Sequence, residues 1–204
     1  MDASERAALS QFLNMDTSER DTLLSVLCGQ WWNWDSWDCN RIKFNQDGTG
    51  QMICRARQEV FIAAEFDWQP LHTDILDQEL VMPIKNPKAP MRLAQFDIVM
   101  RLTNRRIPIL AGQDLIGCAI NECLLEDDAF YAKAYNVSLE RGRFLTPFDA
   151  LGGQIDPYTP TFSLGLAFDR SPFPQQHEWK VKVPASLGVK LWDRKEFCGK
   201  QYVH

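Results

Sequence analysis

The stretch Arg41-Ile42-Lys43-Phe44-Asn45-Gln46-Asp47-Gly48-Thr49-Gly50-Gln51 decides the fold. From Arg41 to Asn45 polar and apolar residues alternate, the period of a strand with one buried face. Asp47-Gly48-Thr49-Gly50 then ends the alternation with residues that tolerate positive φ, which is the signal of a tight hairpin. Gln51 to Arg57 reads as the returning strand.

The same reading extends along the chain. Glu59 to Trp68 carries Val60, Ile62, Ala64, Phe66 and Trp68 on one face, with Phe61, Ala63, Glu65 and Asp67 on the other. Asp74 to Met82 reads as a further strand, and residues 83–90, with three prolines, as a loop. Ala94, Phe96, Ile98, Met100 and Leu102 alternate with Gln95, Asp97, Val99 and Arg101. Residues 115–125 and 129–140 read as two strands joined by Glu126-Asp127-Asp128, and residues 146–160 as a long irregular connection. Phe162, Leu164, Leu166 and Phe168 alternate until Ser171-Pro172-Phe173-Pro174. Trp179, Val181 and Val183 alternate again, and Val189, Leu191 and Phe197 close the chain. This pattern predicts an all-β, antiparallel architecture, a sandwich or, as the leading expectation, a closed barrel of about 8–10 strands. Closure removes exposed edges, and a barrel of about eight strands is just wide enough to enclose one small ligand.

Helical period is confined to the start. Met1-Asp2-Ala3-Ser4-Glu5-Arg6 recurs as Met15-Asp16-Thr17-Ser18-Glu19-Arg20, and each copy opens with an Asp followed three residues later by Glu, a capping-box spacing. Leu9, Phe12 and Leu13 form one apolar stripe; Leu23, Leu24 and Leu27 form a second. Two short amphipathic helices are expected over residues 1–27, ahead of a single barrel domain over residues 28–204.

Composition bounds the function. The 204 residues are 45% hydrophobic and carry a net charge of −5. A chain of this size buries about 70% of its unfolded surface, enough for one sizeable core. A general nucleic-acid binder is not expected at this charge, because phosphate contacts need a clustered basic surface. No apolar run approaches the ~20 residues of a membrane-spanning helix. The N-terminus shows no basic segment followed by an apolar one, so a cytoplasmic protein is expected. The six cysteines, Cys28, Cys39, Cys54, Cys118, Cys123 and Cys198, form no Cys-x-x-Cys pair, and free thiols are expected in a reducing compartment. No metal site is expected from them or from His72, His177 and His204, which share no ligand spacing. Without a phosphate loop or Gly-x-Gly-x-x-Gly, no nucleotide cofactor is expected, and no Gly-x-Ser-x-Gly elbow anchors a serine nucleophile.

Gly29-Gln30-Trp31 and Asp47-Gly48-Thr49-Gly50 carry a family resemblance. The chain resembles a calycin, the superfamily of lipocalins and fatty-acid-binding proteins. Lipocalins begin their first strand with Gly-x-Trp after a short N-terminal helix, and here the helix read over residues 17–27 leads into Gly29-Gln30-Trp31. The resemblance implies that Trp31 closes one end of the barrel under a basic residue from the end of the chain, for which Arg194 is the match by position.

Two sets of residues are read as sites. Trp31, Trp32, Trp34 and Trp37 are clustered, and large rigid aromatics with a polar N–H suit a pocket as well as a core. The expected ligand-binding residues are Trp31, Trp34, Phe66, Trp68, Phe96, Met100, Phe162 and Trp179. Asp97 and Arg101 share a face of one strand. On an outer face they make surface ion pairs of little worth. Inside a cavity, Asp97 would be an acid or base and Arg101 would stabilise an oxyanion. The leading functional expectation is a barrel that binds an apolar small molecule in an aromatic-lined cavity. The second is a cofactor-independent isomerase or cyclase acting there on a polyketide- or terpenoid-like substrate, and the third a protein-interaction module built on the duplicated helices. The sequence leaves the oligomeric state open.

Overall fold

The computed structural model describes residues 21–56, 59–82, 89–107, 119–152, 156–180 and 190–202. Eight strands form one closed antiparallel barrel: β1 (Trp31–Asn33), β2 (Asn40–Phe44), β3 (Thr49–Ala56), β4 (Glu59–Pro70), β5 (Met91–Arg106), β6 (Lys133–Phe144), β7 (Phe162–Phe168) and β8 (Glu196–Gln201). Each strand pairs with the next in sequence, and β8 returns to β1 through Asn33 opposite Cys198. This up-and-down order needs no crossover connections and leaves no open edge.

The β2–β3 hairpin forms where the sequence places it. Phe44 faces Gly50, the Asn45 amide donates to the Thr49 carbonyl at 2.8 Å, and Gly48 takes φ +81°. Asp47 Oδ1 accepts from the Thr49 amide and hydroxyl, which fixes the turn. Gly50 is required for space: a Cβ there would lie 2.2 Å from the Phe66 ring and 2.6 Å from the Lys43 carbonyl.

Inside, the alternation of β5 is obeyed: Ala94, Phe96, Ile98, Met100 and Leu102 are buried in the central core. Trp32, Ile42, Phe44, Met52 and Phe66 meet them there, with Phe44 edge-on to both Phe66 and Trp68. These side chains fill the barrel. The space left between Met52, Phe66, Met100, Leu102 and Tyr135 is about 10 Å³, the room of a single water. An eight-stranded barrel is narrow enough for large side chains to fill it completely.

On β4 the predicted faces are only partly kept. The β3–β4 register shifts between Cys54 and Arg55, so one extra residue sits on β4. Phe61 and Ile62 therefore both enter the central core, and Val60 turns outward. There Val60 and Trp31 pack on a second, outer apolar cluster of Ile53, Ala63, Ile107 and Ile120.

The second expected helix is described only from residue 21 onward. Helix α1 runs over Leu23–Cys28, with Thr22 as its N-cap and Ser25 completing a reciprocal capping box. Six residues do not hold a helix in water. Here the buried Leu23, Val26 and Leu27 anchor it in the central core. The first helix and the expected Asp16 cap lie outside the described residues.

Expected strands at residues 74–82 and in the described part of 115–125 are replaced. Residues 74–82 contain the 3₁₀ turn Thr73–Asp77 and a single bridge from Glu79 to Thr22. Glu126-Asp127-Asp128 joins two 3₁₀ turns, Asn121–Cys123 and Asp127–Phe130, and β6 begins only at Lys133. Trp179 makes one bridge to Leu125, and Val181, Val183 and Val189 lie outside the described residues. In each case apolar residues are buried against the barrel without a neighbouring edge to pair with, because closure has used every edge.

Candidate functional site

The aromatic run after β1 is organised by one carboxylate. Asp35 is buried, and its Oδ1 accepts the amides of Trp37 and Cys39 while Oδ2 accepts Asn40 Nδ2 at 2.7 Å. This local turn folds the segment back so that the Trp34 amide reaches the Asn40 carbonyl. Trp34 and Trp37 then stand on the same side, both against Phe148, with ring centroids 5.6 Å and 4.8 Å away.

Phe148 belongs to a second helix, α2 (Pro147–Leu151), inside the connection read as irregular. Thr146 caps it and Pro147 occupies its first turn, a combination that suits a helix start. Asp149 ties it to the aromatic segment by accepting from Ser36 Oγ and Thr146 Oγ1, and the Phe148 amide donates to the Trp34 carbonyl at 3.1 Å.

The third wall comes from the segment before β8. The 3₁₀ turn Leu191–Asp193 delivers Arg194, whose guanidinium carbon lies 3.8 Å above the Trp34 ring. Together these elements enclose a cleft of about 650 Å³, lined by Trp34, Phe148, Leu151 and Arg194 and rimmed by Lys190 and Lys195. Its size and concavity are those of a small-molecule pocket. Apolar surface around it is open: Trp37 is 65% exposed and Leu151 78%.

Arg194 is the unusual group. Only 6% of it is exposed, and Nη1 is buried with no hydrogen-bond acceptor. Burial lowers its pKa, against the opposing influence of Cys54 and Asp35. The Cys54 thiol, itself pushed up to about 12 by burial, is neutral near pH 7 and supplies no counter-charge.

The expected ligand-binding residues do not converge on one place. Trp34 lines the cleft. Trp31 faces outward beneath Arg41 at 4.2 Å, so it does not close the barrel. Its neighbour Trp32 is the inward ring: it is fully buried and donates from Nε1 to the Leu27 carbonyl at 3.0 Å. Arg194 likewise covers Trp34 and not Trp31. Phe66, Trp68, Phe96 and Met100 are packed in the barrel interior, and Phe162 is buried at the start of β7. Trp179 packs edge-on to Phe61 and donates to the Pro174 carbonyl.

Asp97 and Arg101 point away from the interior and are not brought together. Asp97 accepts from Asn136 Nδ2 at 2.7 Å, and Arg101 pairs with Asp67 at 2.9 Å. Arg101 borders a separate open groove of about 490 Å³ with Thr103, Arg105 and Phe130, and Asp97 does not line it. Phe148 and Leu151 were missed because they sit in a connection without strand or helix period; Thr146-Pro147 was the one local signal that would have located α2.

Titratable clusters elsewhere are already occupied. Asp128, His177 and Glu178 bring one ligand atom each within 4.8 Å of one another. The buried Glu178 carboxylate, however, pairs with Lys133 and accepts the Gln175 amide. His72 is exposed on its loop, and His204 lies outside the described residues. Cys28, Cys39, Cys54, Cys123 and Cys198 are free thiols, and Cys118 lies outside the described residues. Among the described residues no helix is long and apolar enough to cross a membrane. Compared with protein-family models, with curated proteins and with solved structures, the chain matches none.

Proposed function

We propose that this protein is a calycin-like barrel that binds an apolar small molecule in the aromatic cleft beside Trp34. The observation that carries the reading is a contrast in space: about 650 Å³ in the cleft against about 10 Å³ in the pocket where Met52, Phe66, Met100 and Leu102 meet Tyr131 and Tyr135. The ligand is therefore assigned to the end wall of the barrel and not to its interior. Trp34 and Phe148 present ring faces and edges at which a flat apolar body loses contact with water, and such burial is worth about 25 cal/mol per Å². The barrel's part is rigidity. It fixes the segment after β1 and the segment before β8, which come from opposite ends of the chain, at one place.

The test is a titration of intrinsic tryptophan fluorescence with apolar, polyketide-like and terpenoid-like compounds, each recovered and checked for chemical change. Saturable quenching that disappears in Phe148→Ala and persists in Met100→Leu supports the cleft. Quenching abolished by Met100→Leu alone would return the ligand to the barrel interior. A rearranged product would convert the reading to an isomerase or cyclase working in the same place. The absence of any saturable response would overturn the proposal.

A further inference from the structure

We infer that the cleft recognises an aromatic monocarboxylate, whose carboxylate is bound by Arg194. The inference rests on the reading of the cleft as a ligand site and names the class of ligand.

The argument begins with what stacking does and does not satisfy. All five N–H donors of a guanidinium lie in its plane. The contact with Trp34, 3.8 Å above the ring, engages only the flat face. A cation–π contact returns less than a buried charge without hydrogen bonds loses in hydration. Among the described residues no side chain or carbonyl accepts from the Arg194 guanidinium, and Nη1 has no acceptor although it is sealed from water.

The nearby acids are committed or distant. Both oxygens of Asp35 are taken by Trp37, Cys39 and Asn40. Asp193 and Glu196 line the cleft but make no ion pair with Arg194. Nη1 is sealed from the cleft as it is from water, so an acceptor brought in by a ligand meets the guanidinium at its remaining N–H groups. The planar fork fits a carboxylate with two parallel hydrogen bonds. Arg194, Lys190 and Lys195 stand with Asp193 and Glu196 in the lining, an excess of one positive charge that matches a monocarboxylate better than a phosphate dianion. The rest of the ligand meets Trp34 and Phe148, so an aromatic body is the complement of the walls.

The probe pair is biphenyl-4-carboxylic acid and biphenyl-4-carboxamide, alike in shape and different in charge, titrated by calorimetry at pH 7 into the full chain. The acid is expected to bind at least tenfold more tightly than the amide. Arg194→Met keeps the stem over Trp34 and is expected to remove that preference while leaving amide binding within about threefold. Lys190→Gln with Lys195→Gln, on the exposed rim, is expected to keep the preference and stands as the second arm should Arg194→Met not fold. Equal binding of acid and amide to the wild type would overturn this inference and leave the cleft reading intact. A preference that survives Arg194→Met, or that is lost with the two rim lysines, would overturn the assignment to Arg194. Binding of neither compound would remove the cleft reading and this inference with it.

Discussion

The side-chain amide of Asn121 pairs with the backbone of Ala63 as a neighbouring strand would: Oδ1 accepts the Ala63 amide at 2.8 Å and Nδ2 donates to the Ala63 carbonyl at 3.0 Å. Ala63 lies just past the Ala64–Arg106 end of the β4–β5 ladder, where the Ile107 amide reaches its carbonyl but its own amide has no strand partner. Asn121 is fully buried and holds φ at +50°, a conformation Asn adopts more readily than most residues. The contact closes the outer apolar cluster around Ile53, Ala63 and Ile120.

Asn121→Ala is therefore expected to destabilise the protein by about 2–4 kcal/mol, combining an orphaned buried amide with strain at positive φ. Asn121→Gly, which relieves the strain, is expected to lose about 1–3 kcal/mol. Urea unfolding of the two variants measures both. Losses below 0.5 kcal/mol for each would show that the Ala63 amide finds another partner.

Adjacent tryptophans are expected to behave in opposite ways. Trp32→Phe removes a buried donor to the Leu27 carbonyl and part of the interior packing, a loss of about 2–3 kcal/mol. Trp31→Phe changes an outward ring beneath Arg41, worth under about 1 kcal/mol. Equal losses in chemical denaturation would contradict the inward placement of Trp32 and the outward placement of Trp31.

The outer charges of β4 and β5 form a ladder. Arg105 pairs with Glu65 at 2.5 Å and with Asp67, which also holds Arg101. Hydrogen bonds from Arg105 lower the Asp67 pKa. A depressed carboxylate pKa adds stability above its unfolded value, and that stability is lost as the pH falls below about 4. These side chains are roughly half exposed, so Arg105→Ala is expected to cost under about 1 kcal/mol, and less in high salt. A salt-independent loss above 2 kcal/mol would show that the ladder is shielded from solvent.

Buried thiols set the alkaline limit. Burial pushes Cys54 and Cys198 up to about 12 and, with Asp47 adding to it, Cys28 up to about 11. A thiol pKa raised in the fold leaves stability intact below about pH 9 and removes it as the pH rises toward the folded value. Each buried thiol contributes a slope of up to about 1.4 kcal/mol per pH unit. For a chain of this size 1 kcal/mol moves Tm by about 2–4 °C. Tm is expected to fall steadily from pH 9 to 11, and less steeply in Cys54→Ala. A flat profile over that range would contradict the burial of these thiols.

The alternation at Arg41 to Asn45, the Asp47-Gly48 turn and the inward set from Ala94 to Leu102 were legible in the sequence, and together they specify an antiparallel barrel. Each is local: side chains alternate across a strand with period two, and a turn depends on the φ preference of one or two residues. Where an element lacks such a period, the sequence misled. Residues 74–82 and 119–125 look apolar enough for strands, but burial against a closed barrel needs no strand pairing. The faces of Val60 and Phe61 were decided by one extra residue in the β3–β4 ladder, which no local period records. Likewise Trp31 and Trp32 are equivalent as letters, and only the register of β1 against β2 sends one out and the other in. The cleft is the furthest from sequence. It joins Trp34, Phe148 and Arg194, residues far apart in the chain, and the buried unpartnered guanidinium exists only because barrel closure places all three at one end.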